Sequence, residues 1–91
     1  MTTITHHPER RRFETQIDGH TAYLSYEIVS DDVLDYDHTI VPSELGGRGL
    51  GKQLVKHALD YARANGKKVI PTCSFVAAII DKTPEYQDLL V

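Results

Sequence analysis

Three runs of alternating apolar and polar residues occupy the first half of the chain. The first, Phe13 to Ile17, ends at Asp18-Gly19, a dipeptide that suits a tight β-hairpin because both central positions of that turn can take positive φ. The second predicted strand begins near His20, and its run from Thr21 to Val29 is rich in β-branched and aromatic residues. The third run extends from Val33 to Val41 after a polar turn. The three runs predict an antiparallel β-meander.

Each of the two longer runs carries an apolar face. In the second run this face is formed by Ala22, Leu24, Tyr26 and Ile28. In the third run it is formed by Leu34, Tyr36, His38 and Ile40.

The pattern changes after Pro42, which cannot donate a hydrogen bond to a neighbouring strand and therefore ends the third run. A segment with four glycines follows, and beyond it apolar residues recur at helical spacing. These residues are Leu50, Leu54, Val55, Ala58, Leu59, Tyr61 and Ala62. Gly66 stands where a glycine at the helix C-terminus is expected. The segment predicts an amphipathic helix.

The remaining residues predict a strand and a short helix. Lys68 to Cys73 is strand-like, and a strand, helix and strand in succession normally place the two strands parallel through a right-handed crossover. Phe75 to Lys82 predicts a second helix that ends before Pro84, with a turn around Tyr86 to Leu90. The predicted fold class is α+β: an antiparallel meander, a β-α-β crossover and a short C-terminal helix.

Composition limits the classes of function. Ninety-one residues of which 41% are apolar are enough for one small domain, residues 1–91, in which we expect residues 1–11 to be flexible. The net charge of −3, with basic and acidic residues intermixed, argues against a nucleic-acid partner, and we expect Arg10 to Arg12 to be solvated. The partner is therefore expected to be a small molecule, and the protein a monomer or a weak dimer.

Cys73 is the only cysteine, which excludes an intramolecular disulfide and fits a reducing compartment. The N-terminal residues lack the apolar core of a signal peptide, and no stretch is long enough to cross a bilayer. We expect a soluble cytoplasmic protein that has no membrane partner.

The segment from Pro42 to Lys52 predicts an anion site. It lies between a strand and a helix, and the unpaired N–H groups and positive dipole end of a helix N-terminus bind anions. Glycines let phosphate oxygens approach the main chain, while Arg48 and Lys52 add positive charge. A flexible connecting turn is the alternative interpretation. Four glycines directly before a long helix favour ligand binding.

Two nucleotide motifs do not fit this loop. Gly46, Gly51 and Lys52 satisfy part of the P-loop pattern, but Gln53 occupies the place of the magnesium-binding hydroxyl. The dinucleotide fingerprint requires a loop after the first strand of a parallel βαβ unit, whereas three antiparallel strands precede this one.

A third motif fits better. Gly49-Leu50-Gly51 matches the second half of [Q/R]-x-x-G-x-[G/A], although Gly46 occupies the first position. His38 to Pro42, Arg48 to Val55 and Pro71 to Val76 follow in the same order as in one known group. With these segments the chain resembles the small, single-domain members of the GNAT superfamily of N-acetyltransferases, and the resemblance extends from about Phe13 to Leu90.

The resemblance implies that acetyl-CoA, or coenzyme A, is the ligand. The implied cofactor-binding residues are Thr39, Ile40, Val41, Gly46, Gly47, Arg48, Gly49, Leu50, Gly51 and Lys52. The pantetheine arm would lie between two splayed parallel strands, Thr39 to Val41 and Ile70 to Cys73. Pro71 agrees with weak pairing there, but it also fits an ordinary edge strand.

Cys73 and His38 are the candidate catalytic residues. Cys73 would protonate the departing thiolate or accept the acetyl group, and His38 would act as a base. Each also has a structural alternative, Cys73 as a small packed residue and His38 as a core histidine. Glu44 is a further candidate base. The other histidines have no recognisable metal spacing, so no metal is predicted.

The preferred hypothesis is an N-acetyltransferase that transfers an acetyl group to an amine acceptor. The alternative is a coenzyme A or acyl-CoA binding module, or an adaptor, without enzymatic activity.

Overall fold

A computed structural model describes residues 3–91 and contains a sheet of five strands that follow one another in chain order. The strands are β1 (Thr5–His7), β2 (Arg12–Ile17), β3 (His20–Ser30), β4 (Val33–Ile40) and β5 (Lys68–Ile70). The first four pair antiparallel, and β5 pairs parallel with β4. The predicted α+β fold, the meander and the parallel last strand are confirmed.

Two α-helices and two short 3₁₀ helices complete the fold. They are α1 (Leu50–Ala64), α2 (Ser74–Lys82) and the 3₁₀ helices Ser43–Leu45 and Pro84–Leu89. Helix α1 packs against β2 to β5. Gly66, at φ 66°, ends α1 as predicted: the Gly66 N–H donates to the Arg63 carbonyl at 3.3 Å and the Lys67 N–H to the Ala62 carbonyl at 2.8 Å. No helix in residues 3–91 is long and apolar enough to span a membrane.

The core lies between the sheet and α1. Fully buried side chains from every layer meet there, among them Phe13, Leu24, Tyr36, Leu54, Leu59, Val69 and Val76. The Tyr36 hydroxyl donates to the Ala58 carbonyl of α1 at 2.5 Å. Burial raises the pKa of Tyr36 far above its ordinary range. The hydroxyl therefore stays protonated, and its hydrogen bond connects β4 to α1.

The sequence predicts no element before Phe13, yet β1 pairs with β2 inside the segment expected to be flexible. The His6 ring stacks on Phe13 with centroids 4.3 Å apart, and His6 Nε2 lies 2.7 Å from the Tyr26 hydroxyl. Arg10, expected to be solvated, donates to Glu14 at 3.0 Å. These contacts are distant in sequence or polar, so the hydrophobic pattern does not reveal them. Residues 1 and 2 lie outside the described residues.

Strand β4 contains a bulge. The pairing shifts by one residue between Ser25–His38 and Tyr26–Tyr36, which leaves Asp37 as an extra residue on β4. Side chains beyond the bulge change face, so His38 is exposed and Thr39 is half-buried. The prediction that His38 and Ile40 share the buried face of Leu34 and Tyr36 is therefore wrong. Ile28 is also exposed, and it lies in the part of β3 beyond Ser25 that β2 does not pair with.

Strand β5 is shorter than predicted. It ends at Ile70 rather than Cys73, and Pro71 to Cys73 lead directly into α2. The Cys73 main-chain N–H donates to the Tyr36 carbonyl at 3.0 Å. Only residues 68–70 of the predicted strand therefore pair with β4.

Candidate functional site

An open cleft of about 510 Å³ lies where β4, the glycine loop and the first turn of α2 meet. Its lining consists of Thr39, Val41, Pro42, Ser43, Leu45, Gly46, Gly47, Gly49, Leu50, Gly51, Lys52 and Phe75. Eight of the ten cofactor-binding residues implied by the resemblance line this cleft. Ile40 and Arg48 do not.

The loop has a defined backbone. Its first half is a turn of 3₁₀ helix, in which the Leu45 N–H donates to the Pro42 carbonyl at 2.9 Å and the Gly46 N–H to Ser43 at 3.0 Å. The buried Leu45 side chain anchors this turn in the core. Gly47 and Gly49 then adopt φ values of 79° and 71°, a left-handed conformation that side-chain-bearing residues rarely take. The two glycines let the chain reverse into α1.

Helix α1 begins at the cleft with free main-chain donors. The first bond of the helix runs from the Gln53 N–H to the Gly49 carbonyl at 3.1 Å, and Gly49 offers no side-chain cap. The N–H groups of Leu50, Gly51 and Lys52 therefore have no acceptor within the helix. Together with the positive dipole end and the Lys52 ammonium group, these donors suit an anion such as a diphosphate.

Arg48 and Ile40 are directed elsewhere. Arg48 Nη2 lies 3.5 Å from Asp18 Oδ2 in the turn between β2 and β3, and both side chains are largely exposed. Ile40 is 44% exposed and follows the bulge, so it lies on the opposite side of β4 from Thr39 and Val41. A ligand in the cleft would contact the main chain of Ile40 rather than its side chain.

The gap between β4 and the chain beyond β5 begins directly after the last strand pair, Asp35–Ile70. The hydrogen bond from Cys73 to the Tyr36 carbonyl closes one end of the gap. Beyond Tyr36, within the part of the chain that the structure describes, β4 pairs only with β3. The edge of β4 beside the cleft is therefore open to an extended ligand.

The Cys73 side chain is half-buried at the closed end of this gap. Its Sγ atom lies 3.6 Å from the Thr39 hydroxyl, which itself lines the cleft. Cys73 is also the N-cap residue of α2. A thiol in this position would be close to a thioester that occupied the cleft.

The structure does not bring the two candidate catalytic residues together. His38 is exposed on the face of β4 opposite Thr39, whereas Cys73 contacts Thr39. Glu44 is exposed in the 3₁₀ turn, where its carboxylate is 3.5 Å from the Ser43 hydroxyl, and it does not line the cleft. In residues 3–91 there is no group of three or more His, Cys, Asp or Glu side chains able to hold a metal ion.

Sequence reasoning missed four lining residues: Pro42, Ser43, Leu45 and Phe75. Pro42 and Ser43 follow directly from the end of β4. Leu45 and Phe75 look like ordinary core positions in the sequence. Phe75 lies in the first turn of α2, which begins at Ser74, one residue earlier than predicted, and its ring lies beside Gly51. A cleft-facing aromatic residue in the first turn of a helix has no signal in the hydrophobic pattern.

A meander, a crossover helix that starts at a glycine loop and a parallel strand that leaves the sheet early define an α+β domain of the N-acetyltransferase type. The family model for the GCN5-related N-acetyltransferase matches residues 12–89. The chain belongs to this family.

Relatives in the family include Protein NATD1 of Mus musculus and of Gallus gallus. Each is 34% identical over 83 residues, which cover 89% of this chain and 76% of the relative. Protein NATD1 of Danio rerio is 32% identical over 88 residues, covering 94% and 80%. A solution structure of a GCN5-like protein from Staphylococcus aureus, described as a proposed N-acetyltransferase, is 34% identical. It superposes with a TM-score of 0.77 over 98% of this chain and 87% of that one.

Proposed function

We propose that the protein binds acetyl-CoA in the cleft and transfers its acetyl group to an amine. Membership in the GCN5-related N-acetyltransferase family supports this reaction class. One observation carries the proposal: the cleft joins the free N–H groups at the start of α1 to an open edge of β4 that leads to the Cys73 thiol. A ligand with a diphosphate at one end and a thioester at the other matches this arrangement.

The diphosphate would lie on the loop. Gly46 provides no side chain where the motif usually has Gln or Arg, so the main-chain donors of residues 49–52 and the Lys52 ammonium group supply the contacts. Arg48 is close by, and its exposed ion pair with Asp18 contributes only about 0–1 kcal/mol. Arg48 can therefore exchange Asp18 for a phosphate at little cost.

The pantetheine arm would follow the main chain of Thr39 to Val41. This edge of β4 has no strand partner among the described residues, so its amide groups are available to an added strand-like ligand. The thioester would then reach the region of the Thr39 hydroxyl and Cys73.

In the transfer step, the amine nitrogen forms a bond to the acetyl carbon, and the carbon–sulfur bond breaks with its electron pair left on sulfur. We assign Cys73 as the residue that gives the departing thiolate a proton, because its Sγ atom lies beside the cleft-lining Thr39. His38 is the candidate that removes a proton from the incoming amine. Its side chain is exposed on the face of β4 opposite Thr39, so this role requires an acceptor that extends around the strand from His38 to the thioester.

The second candidate function is binding without catalysis. The separation of His38 and Cys73 by the strand favours it, because the candidate base and the candidate acid lie on opposite faces of β4. Such a protein would be a coenzyme A or acyl-CoA binding module, or an adaptor.

NMR titration with acetyl-CoA, followed by a thiol-release assay over a panel of amines, tests both functions. We expect shifts in Thr39 to Lys52 and Cys73, and release of coenzyme A with at least one amine. Lys52→Ala should weaken binding, while Lys56→Ala, one turn further along α1 and outside the cleft, should not. Binding without release for any amine would favour the binding module. No shift near Gly49 at millimolar coenzyme A would overturn the proposal.

A further inference from the structure

Phe75 forms an aromatic wall of the cleft. It lies in the first turn of α2, two residues after Cys73, and its side chain remains 43% exposed although it packs beside the loop. Most other large apolar side chains of the described residues are buried in the core. An exposed aromatic ring in a concave site provides a broad apolar contact for a ligand.

The ring of Phe75 occupies the space that a side chain at position 51 would need. A Cβ atom on Gly51 would lie 2.9 Å from Cε2 and 3.2 Å from Cζ of Phe75, and 3.7 Å from Cγ2 of Val41. Gly51 is inside α1 and has no left-handed φ, so the backbone does not demand glycine there. Glycine is unfavourable inside a helix compared with alanine. A side chain at position 51 would therefore require the Phe75 ring to move.

The cleft has two kinds of surface. The free N–H groups of α1 and the Lys52 ammonium group suit phosphate oxygens, whereas Val41, Leu50 and Phe75 are apolar. Of the parts of coenzyme A, the pantetheine arm carries methyl and methylene groups suited to an apolar wall. The diphosphate does not.

We propose that Phe75 is a positioning residue whose ring holds the pantetheine arm against β4, and that Gly51 lacks a side chain in order to seat this ring. The first part rests on the proposed binding of coenzyme A. The second part concerns packing alone.

Calorimetric titration of the full chain tests the ligand contact with two probes, coenzyme A and 3′-phospho-ADP, which lacks the pantetheine arm. Phe75→Ala should weaken coenzyme A binding about tenfold, and Phe75→Leu should restore most of the affinity. Neither variant should change the affinity for 3′-phospho-ADP. Ile28→Ala removes an exposed apolar side chain outside the cleft and should change neither affinity. Equal losses for both probes, or no loss for coenzyme A, would overturn the contact.

A double-mutant cycle in urea unfolding tests the packing without any ligand. Gly51→Ala should lower the unfolding midpoint in the parent chain, whereas in the Phe75→Ala background it should be neutral or raise the midpoint. Equal effects in both backgrounds would refute the seating of the ring. If the parent chain binds neither probe, the proposed function and the pantetheine contact fail together, while the cycle still decides the Gly51–Phe75 packing.

Discussion

The main-chain N–H of Cys73, which lies three residues beyond the end of β5, donates a hydrogen bond of 3.0 Å to the carbonyl of Tyr36. This bond closes one end of the gap beside β4 and places the Cys73 thiol 3.6 Å from the Thr39 hydroxyl. Because main-chain atoms make the bond, the position of residue 73 does not depend on its side chain. Substitutions at this residue can therefore separate chemistry from folding.

Cys73→Ala should bind coenzyme A with the affinity of the parent chain but lose transfer activity. A proton donor of this kind contributes roughly 100- to 10,000-fold to the rate, which sets the expected loss. Cys73→Ser retains a hydroxyl donor and should lie between the two. Titration calorimetry and the thiol-release assay measure the two effects separately. A Cys73→Ala protein with undiminished turnover would show that the thiol has only a packing role.

The positions of the strands in the meander and of α1 follow from local pattern, because alternation and helical spacing each extend over many residues. The bulge at Asp37 does not, since one extra residue reverses every later side chain without changing the alternation itself. Strand β1 does not follow from the local pattern either, because its contacts are those of His6 with Phe13 and Tyr26, which are distant in sequence. The glycine loop was accessible from its motif, whereas Phe75 enters the site through packing against Gly51.

The bulge leads to a prediction for His38. Since its side chain is exposed, His38→Gln should change the free energy of unfolding by no more than about 0.5 kcal/mol, whereas loss of a buried histidine would cost more. If His38 acts as the base, turnover should fall while coenzyme A binding stays the same. Urea unfolding, calorimetry and thiol release on the one variant test these points. A large loss of stability would contradict the exposed position.

Gly49 is a loop position where the backbone disfavours a side chain. Its φ of 71° is left-handed, and an L-residue other than asparagine or aspartate loses about 1–2 kcal/mol in that conformation. Gly49→Ala should therefore lower the stability by about this amount and weaken coenzyme A binding by displacing the first N–H groups of α1. Gly49→Asn is the matched control, since asparagine tolerates the left-handed region. Equal behaviour of the two variants would show that backbone strain is not the cause.

His6 connects stability to pH. Its ring packs between Phe13 and Tyr61, with centroid distances of 4.3 and 4.5 Å, and its Nε2 atom meets the Tyr26 hydroxyl. Burial lowers the pKa of His6 below its ordinary value of 6.5, and the nearby His57 and His7 lower it further, against a small opposing effect of Glu9. The folded protein therefore resists protonation of this ring.

The sign of the pH effect follows from this shift. Below about pH 6.5 the unfolded chain takes up a proton on His6 more readily than the folded chain, so the free energy of unfolding should fall as the pH decreases toward the lowered pKa. His6→Phe keeps an aromatic ring on Phe13 but cannot titrate, and it should show a smaller decline between about pH 7.5 and about pH 5. Exposed His38→Gln serves as the control for the loss of a histidine outside this contact.

Urea unfolding across this range measures the slopes. Glu14 does not interfere, because the hydrogen bond from Arg10 lowers its pKa below the ordinary 4.5, and its contribution is lost only at more acidic pH. Identical slopes for the parent chain and His6→Phe would show that folding does not change the proton binding of His6 over this range, which would contradict the lowered pKa. A smaller slope for His6→Phe would show that the buried His6 ring contributes to the loss of stability in acid.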